Sequence, residues 1–224
     1  MKNRYLDLLE ELYIKHADPV KAIPMKKYMK DKFEYLGLSS IPRKEIYREF
    51  FKVNGMPEIS EIDKLTMELW ERPEREYQYF AMILLQKMEK KFNLGILPLY
   101  EYTITEKSWW DTVDFIAANL AGLLLKRNWD NIVEITGKWM ASGNMWLQRT
   151  ALLFQLKYKA GTDEKLLFSL IINLSEHKDF FIRKAIGWAL REYSKTSPES
   201  VSEFVGRTSL SPLSEKEAMR IILK

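Results

Sequence analysis

The sequence predicts an all-α protein, an α-solenoid of paired helices, and two observations carry that prediction. Apolar residues recur at helical spacing in successive segments, with Pro and Gly punctuating between them. Alanines also recur at Ala81, Ala117, Ala151 and Ala185, each in a segment that runs from polar, aromatic or cationic residues through an apolar run to a Lys or Arg. The steps, about 34–36 residues, fall in the range of helical repeats. The repeating segments are 75–87, 110–126, 147–159 and 182–195, with second helices between them at 129–139 and 164–174. Paired helices at this period argue repeats of the HEAT or armadillo kind, in which one helix per repeat builds a concave face. No low-complexity or linker-like run interrupts the chain, so residues 1–224 are expected to be a single domain.

Each element has a local reason. Residues 4–16 form an amphipathic helix through Tyr5, Leu8, Leu9 and Leu12. Asp18-Pro19 opens a second, short helix, and Pro24, at a first helical position, opens a third over the basic segment 25–33. Gly37 marks a turn or cap, and Pro42 restarts a helix. Helices are then expected over 43–54, 58–71, 74–92 and 96–104. Residues 99–105 also alternate like a strand, but nothing nearby would pair with them. Ser108 is the expected N-cap of the next helix, with Asp111 in its first turn. At about 100° per residue, Trp109, Val113, Ile116, Leu120, Leu123 and Leu124 share one apolar stripe, and Trp110 and Asp114 lie together on its edge.

Composition narrows the function classes. The 224 residues are 46% hydrophobic and 29% charged, an ordinary globular balance able to bury a core without staples. Cysteine is absent, which excludes disulfides, thiolate catalysis and cysteine metal sites and fits a reducing cytoplasm. The N-terminus turns acidic before any apolar run, unlike a signal peptide, and the greasy segment 115–125 is too short to span a bilayer. A cytoplasmic protein with no membrane partner is expected. The net charge of +4 is compatible with a nucleic-acid partner and is weak support for one. The two histidines are far apart and lack metal-ligand spacing, and there is no phosphate-binding loop, dinucleotide fingerprint or nucleophile elbow. No metal or cofactor is expected.

Four positions stand out, each with two readings. Trp188 points away from the apolar stripe of Ile182, Ile186, Ala189, Leu190 and Tyr193, among Lys184, Arg191 and Lys195. It is either an aromatic contact beside bound phosphates or a side chain covered by a neighbouring helix. Arg149 lies among Trp146, Leu152, Leu153 and Leu156, as a structural bridge between repeats or as a phosphate clamp. Trp110 and Asp114 are either a half-buried ring with a structural carboxylate or a pair that stabilises developing positive charge. The lysine-rich segment 26–32, with Tyr28 and the Gly37 loop, is a solvated face or an arm on a nucleic-acid backbone.

Three stretches resemble the AlkD-type DNA alkylation repair glycosylases: Lys107-Ser108-Trp109-Trp110-Asp111-Thr112-Val113-Asp114, Trp146-Leu147-Gln148-Arg149, and Lys184 to Tyr193 with its Gly187-Trp188 centre. The N-terminal pattern Tyr28-Met29-Lys30, Phe33, Leu36-Gly37 and Pro42 with its following cations agrees, so the resemblance runs in order along nearly the whole chain. The chain departs from the family after Gly37, where it holds one extra residue before Pro42, which bears on any contact by Ser39. The resemblance implies HEAT-like repeats with a concave DNA-binding face. It implies hydrolysis of the N-glycosidic bond of cationic alkylated purines, chiefly 3-methyladenine and 7-methylguanine, in duplex DNA, by a monofunctional glycosylase that does not flip the base. It places the catalytic aspartate on Asp114, the lesion-side tryptophans on Trp110 and Trp188, and a phosphate-contacting arginine on Arg149. Tyr28 and Arg191 match further DNA contacts, and Lys184, Lys27, Lys30 and Arg43 join them as candidates. A monomer acting at the nucleoid is expected. The rivals are a DNA-binding protein of this fold without catalysis and a protein-interaction scaffold.

Overall fold

A computed structural model describes residues 4–223. It is an all-α helical repeat fold, and among the described residues the only β pairing is an isolated parallel bridge between Glu34 and Glu74. The chain divides into two compact units, 1–91 and 92–224.

The first unit holds α1 (Arg4–His16), α2 (Pro19–Tyr28), α3 (Ser40–Asn54), α4 (Ile62–Glu71) and α5 (Arg75–Met88). Its core is aromatic: Tyr5, Tyr47 and Phe50 set their ring edges or faces around Phe80, at centroid distances of 6.5, 5.3 and 5.3 Å. Helix α2 corrects the expected break at Pro24. It runs unbroken from Pro19 to Tyr28 with Pro24 inside it, and no helix covers 29–33. The strong start explains this: Asp18 Oδ1 accepts from the amides of Val20 and Lys21, both at 3.1 Å, and Pro19 fits the first helical position. Pro24 forfeits a bond to the carbonyl of Val20, on a face where Val20 is exposed and water can serve instead. The chain then leaves the helix through Lys30 and Asp31, both in the left-handed region at φ 59° and 55°.

The loop that follows is organised by a carboxylate. Glu76, buried in the first turn of α5, accepts from the amides of Leu36 (3.1 Å), Gly37 (3.0 Å) and Leu38 (3.1 Å). Burial nevertheless holds its pKa above the ordinary glutamate value, opposed by the amides of Leu36, Leu38 and Glu76 itself and by the charge of Arg43. Gly37 is required there: its φ is +86°, and an added Cβ would lie 1.9 Å from the carbonyl oxygen of Asp18. Gly37→Ala should therefore lower stability by more than about 1 kcal/mol in urea unfolding. Gly137→Ala, in a helix with open space around the position, should raise it by about 0.5–1 kcal/mol.

The second unit holds α6 (Leu97–Thr105), α7 (Trp110–Ile116), α8 (Gly122–Arg127), α9 (Ile132–Ala141), α10 (Met145–Leu153), α11 (Glu164–Leu174), α12 (Phe180–Tyr193), α13 (Pro198–Arg207) and α14 (Pro212–Ala218). Residues 97–105 are helical, as their lack of a strand partner predicts. Helix α10 packs against α7 and α12, and α12 against α14, so successive repeats stack side by side. The period-marking alanines Ala117, Ala151 and Ala185 are fully buried here, as Ala81 is in the first unit. A small side chain at a buried helix position leaves room for a neighbouring helix.

Two local expectations change. Ser108 does not cap α7: its hydroxyl donates to the carbonyl of Ile104 at 2.7 Å, closing α6, and the capping position falls on Trp109. The helix expected over 110–126 is continuous only through a π turn at 117–121 between α7 and α8. The wide turn takes in an extra residue. The stripe shifts accordingly, and Leu124 and Leu125 are buried beyond it while Leu123 is only half-buried. Similarly, the helix expected over 147–159 ends at Leu153, and residues 154–157 are turns.

Candidate functional site

The site begins where α7 does. Lys107 turns the chain at φ 47°, and Trp109 follows in extended backbone, so its ring lies ahead of the helix. That ring packs on Trp146 and Phe181, at centroid distances of 5.9 and 5.0 Å, and Trp146 and Phe181 meet at 5.2 Å. One aromatic thus comes from the start of each of three successive repeats. The starts of the later two helices are fixed by caps. Asn144 Oδ1 accepts from the amides of Trp146 and Leu147 at 2.9 and 3.2 Å, and Asp179 Oδ1 accepts from Phe181 at 2.6 Å.

Asp114 lies one turn into α7, and Arg149 sits 35 residues later on α10, one repeat away. They form a bidentate pair: Arg149 Nε donates to Oδ1 at 2.7 Å and Nη2 to Oδ2 at 2.8 Å. The third arm, Nη1, donates to the carbonyl of Phe181 on α12. The side chains are nearly enclosed, 5% exposed for Arg149 and 14% for Asp114. Burial raises the Asp114 pKa, and the Arg149 hydrogen bonds and charge pull it back only in part. The pair and the Phe181 carbonyl make Arg149 a bridge across three repeats, and in this structure its guanidinium faces Asp114 and not solvent.

Asp114 also borders a cleft of about 360 Å³. Trp188 of α12 lines the same cleft, with Phe115, Ala118 and Leu156 as apolar wall. Asn119, Lys157 and Glu192 are its other polar side chains. Trp110 is half-buried at the first position of α7, one turn before Asp114, and is not in the cleft wall. The stacking of repeats therefore brings Asp114, Arg149 and Trp188 together from three helices.

The surroundings of Trp188 differ from three uncommitted cations. An added Cβ on Gly187 would meet Glu217 Cβ at 2.5 Å and the Ser214 carbonyl at 2.7 Å, so α14 lies directly on that face. Glu217 binds Lys184 Nζ at 2.8 Å, pairs with Arg191, and has Arg220 at 4.0 Å. Lys195 pairs with Glu192 at 2.6 Å. Three cations share Glu217, so the patch retains positive charge in a fixed geometry.

In the first unit, Tyr28 is 70% exposed and Lys27 and Lys30 are exposed. Arg43 is folded down, its guanidinium 4.2 Å from the centroid of Tyr79 and donating to the Leu38 carbonyl at 3.3 Å. Among the described residues no three His, Cys, Asp or Glu side chains come together to hold a metal ion, and no helix is long and apolar enough to cross a membrane. Glu217, Phe181, Asn119 and Glu76 shape these regions without having stood out in the sequence. The contacts that give them their roles span 26–40 residues, Glu217 with Lys184 and Arg191, Phe181 with Arg149, Asn119 with Lys157 and Glu76 with the amides of residues 36–38, so no local pattern marks them.

A family model described as DNA alkylation repair enzyme matches residues 9–222. Among solved structures, the chain is similar to a predicted DNA alkylation repair enzyme from Enterococcus faecalis, with 31% identity and a TM-score of 0.86 over 93% of this chain and 97% of that one. No curated protein matches it.

Proposed function

We infer a reaction from one premise: the chain belongs to the DNA alkylation repair enzyme family. Its role is DNA repair. Within that role we propose a monofunctional glycosylase that hydrolyses the N-glycosidic bond of cationic alkylated purines, 3-methyladenine and 7-methylguanine, in duplex DNA. The observation that carries this reading is Asp114, a carboxylate at the edge of a cleft shared with Trp188 and aimed by the two-pronged grip of Arg149.

An alkylated purine bears a formal positive charge and leaves as a neutral base. No general acid is needed, and one carboxylate suffices. As the bond breaks the deoxyribose becomes oxocarbenium-like. Asp114, ionised, stabilises that charge and orients the water that adds to the sugar carbon, whose proton passes to the carboxylate or to solvent. The Arg149 grip occupies one lone pair on each oxygen and leaves others for water and sugar. Trp188 lines the cleft beside the sugar, and Trp110, outside the cleft wall one turn before Asp114, is proposed to close on the sugar when DNA binds, each offering the negative face of its ring. Lys184 and Arg191, sharing one carboxylate, keep charge for the phosphates, and Tyr28, Lys27, Lys30 and Arg43 supply further backbone contacts. Arg149 serves Asp114 first.

The cleft favours work on the sugar without base flipping. Its polar side chains other than Asp114 are engaged with the protein: Asn119 with Phe115 and Lys157, Glu192 with Lys195. A pocket that reads an extruded base would instead present such groups to its Watson–Crick edge.

The test is base release from methylated duplex DNA, with the freed bases separated by chromatography, beside a duplex containing uracil. Release of 3-methyladenine and 7-methylguanine with uracil left in place is expected, and strands should stay uncut until the abasic site is cleaved by alkali. Comparable release of neutral uracil would overturn the charge-based mechanism. Binding without release would favour a non-catalytic DNA-binding protein, and salt-insensitive or absent binding a scaffold.

A further inference from the structure

We propose that Lys157, positioned by Asn119, binds the DNA phosphate that flanks the deoxyribose held at Asp114. The proposal rests on the reaction inferred above.

Three features show that Lys157 is placed and not merely exposed. Its backbone is fastened to the helix beyond the π turn: the next residue, Tyr158, donates its hydroxyl to the Gly122 carbonyl at 2.6 Å. Gly122 allows that approach, since an added Cβ would lie 2.2 Å from the Phe154 carbonyl oxygen. Its ammonium is held by Asn119 Oδ1. Asn119 is itself fixed, its Nδ2 donating to the Phe115 carbonyl at 2.9 Å in the wide turn. A lysine ordinarily loses much rotamer freedom on binding an anion, and here part of that ordering precedes the ligand.

The charge balance then points to the ligand. Among the described residues no carboxylate lies within ion-pair distance of Lys157. The nearby cleft carboxylates are taken, Asp114 by Arg149 and Glu192 by Lys195. Asn119 is neutral. An unneutralised ammonium in a cleft that must favour positive charge on the sugar would oppose the reaction. A phosphodiester oxygen on Lys157 removes that conflict, and the sugar at Asp114 carries a phosphate on each side. The cleft is within the reach of both, since Asp114, Asn119 and Lys157 line it together.

The experiment measures binding to a duplex bearing a tetrahydrofuran abasic analogue, by fluorescence anisotropy over a salt series. Wild type, Lys157→Met, Lys157→Arg, Asn119→Ala and the double variant Asn119→Ala/Lys157→Met are compared. Each neutralised phosphate contributes a salt slope of about 0.9, so Lys157→Met should lower the slope by about 0.9 and weaken binding about eightfold at about 0.1 M salt. Lys157→Arg should keep the slope. Asn119→Ala should weaken binding in the wild-type background and add nothing to Lys157→Met, which a merely structural effect on the helix would not reproduce. An unchanged slope and affinity in Lys157→Met would overturn the proposal. If wild type releases no alkylated purine while Lys157→Met still loses its slope, the reaction fails and the phosphate contact stands. If release is normal and the slope unmoved, the phosphate contact alone fails.

Discussion

Asp114→Asn should slow release of 7-methylguanine by at least about 10²-fold, the usual scale for removing a preorganised electrostatic group from a reacting centre. Affinity for the tetrahydrofuran duplex should be little changed, because that ligand develops no charge. The amide keeps one oxygen for Arg149 but sets its NH2 against the other guanidinium N–H and leaves the buried cation without a counter-ion, so stability falls as well, and circular dichroism with urea unfolding should show a folded protein under the assay conditions. Release at the wild-type rate would remove Asp114 from the mechanism. The pH profile offers a second reading of the same group. Burial raises its pKa, with Arg149 opposing, and the active form is the ionised one. The wild-type rate should therefore rise with pH through a limb placed above the usual aspartate range, and that limb should be missing from the residual activity of Asp114→Asn.

Arg149→Met should be the most destabilising of the changes considered. It leaves the Asp114 carboxylate buried with no counter-ion and the Phe181 carbonyl short of a donor. Breaking one half of a buried pair costs about 3–5 kcal/mol. The sign of the pH dependence separates this from a simple cavity. A buried acid whose folded pKa is raised above its unfolded value contributes most stability below the unfolded pKa and loses it as pH rises through the folded one. Without Arg149 the main opposing influence disappears, so the folded pKa of Asp114 climbs further. The deficit of Arg149→Met should be largest at neutral pH and shrink on acidification, as measured by urea unfolding at several pH values. The acid limb of any remaining activity should move up. Arg149→Lys should recover only part, since an ammonium cannot make the two parallel bonds. A deficit independent of pH would show that Arg149 acts by packing alone.

The repeat was legible because it is periodic, and so was the interval that pairs two residues of the candidate site. The four alanines recur at one period, and all four are buried. Asp114 and Arg149 are one period apart, and stacking turns that interval into a contact. Glu76 and Glu217 were illegible for the opposite reason. Each looks like an ordinary surface glutamate: Glu76 reaches amides 38–40 residues away, and Glu217 reaches Lys184 and Arg191 at 33 and 26 residues, separations that share no one period. Pro24 misled because a proline at the start of a helix and one tolerated inside it leave the same local mark, and the capped Asp18-Pro19 start decided between them. The π turn has no signature in an apolar run such as 115–125, where every register offers a buried face.

That π turn makes the length of a segment matter more than its composition. One residue corresponds to about 100° of rotation and about 1.5 Å of rise. Loss of any single residue within 117–121 would let the wide turn relax to an ordinary helix. With α8 anchored by Tyr158 on the Gly122 carbonyl, the rotation would fall on α7 and swing Asp114 away from the fork of Arg149. Apolar substitutions in this stretch can be absorbed by repacking, while a deletion disconnects the carboxylate from its neighbours one repeat away. The count of residues between Asp114 and Gly122 thus fixes the site more firmly than their identity does.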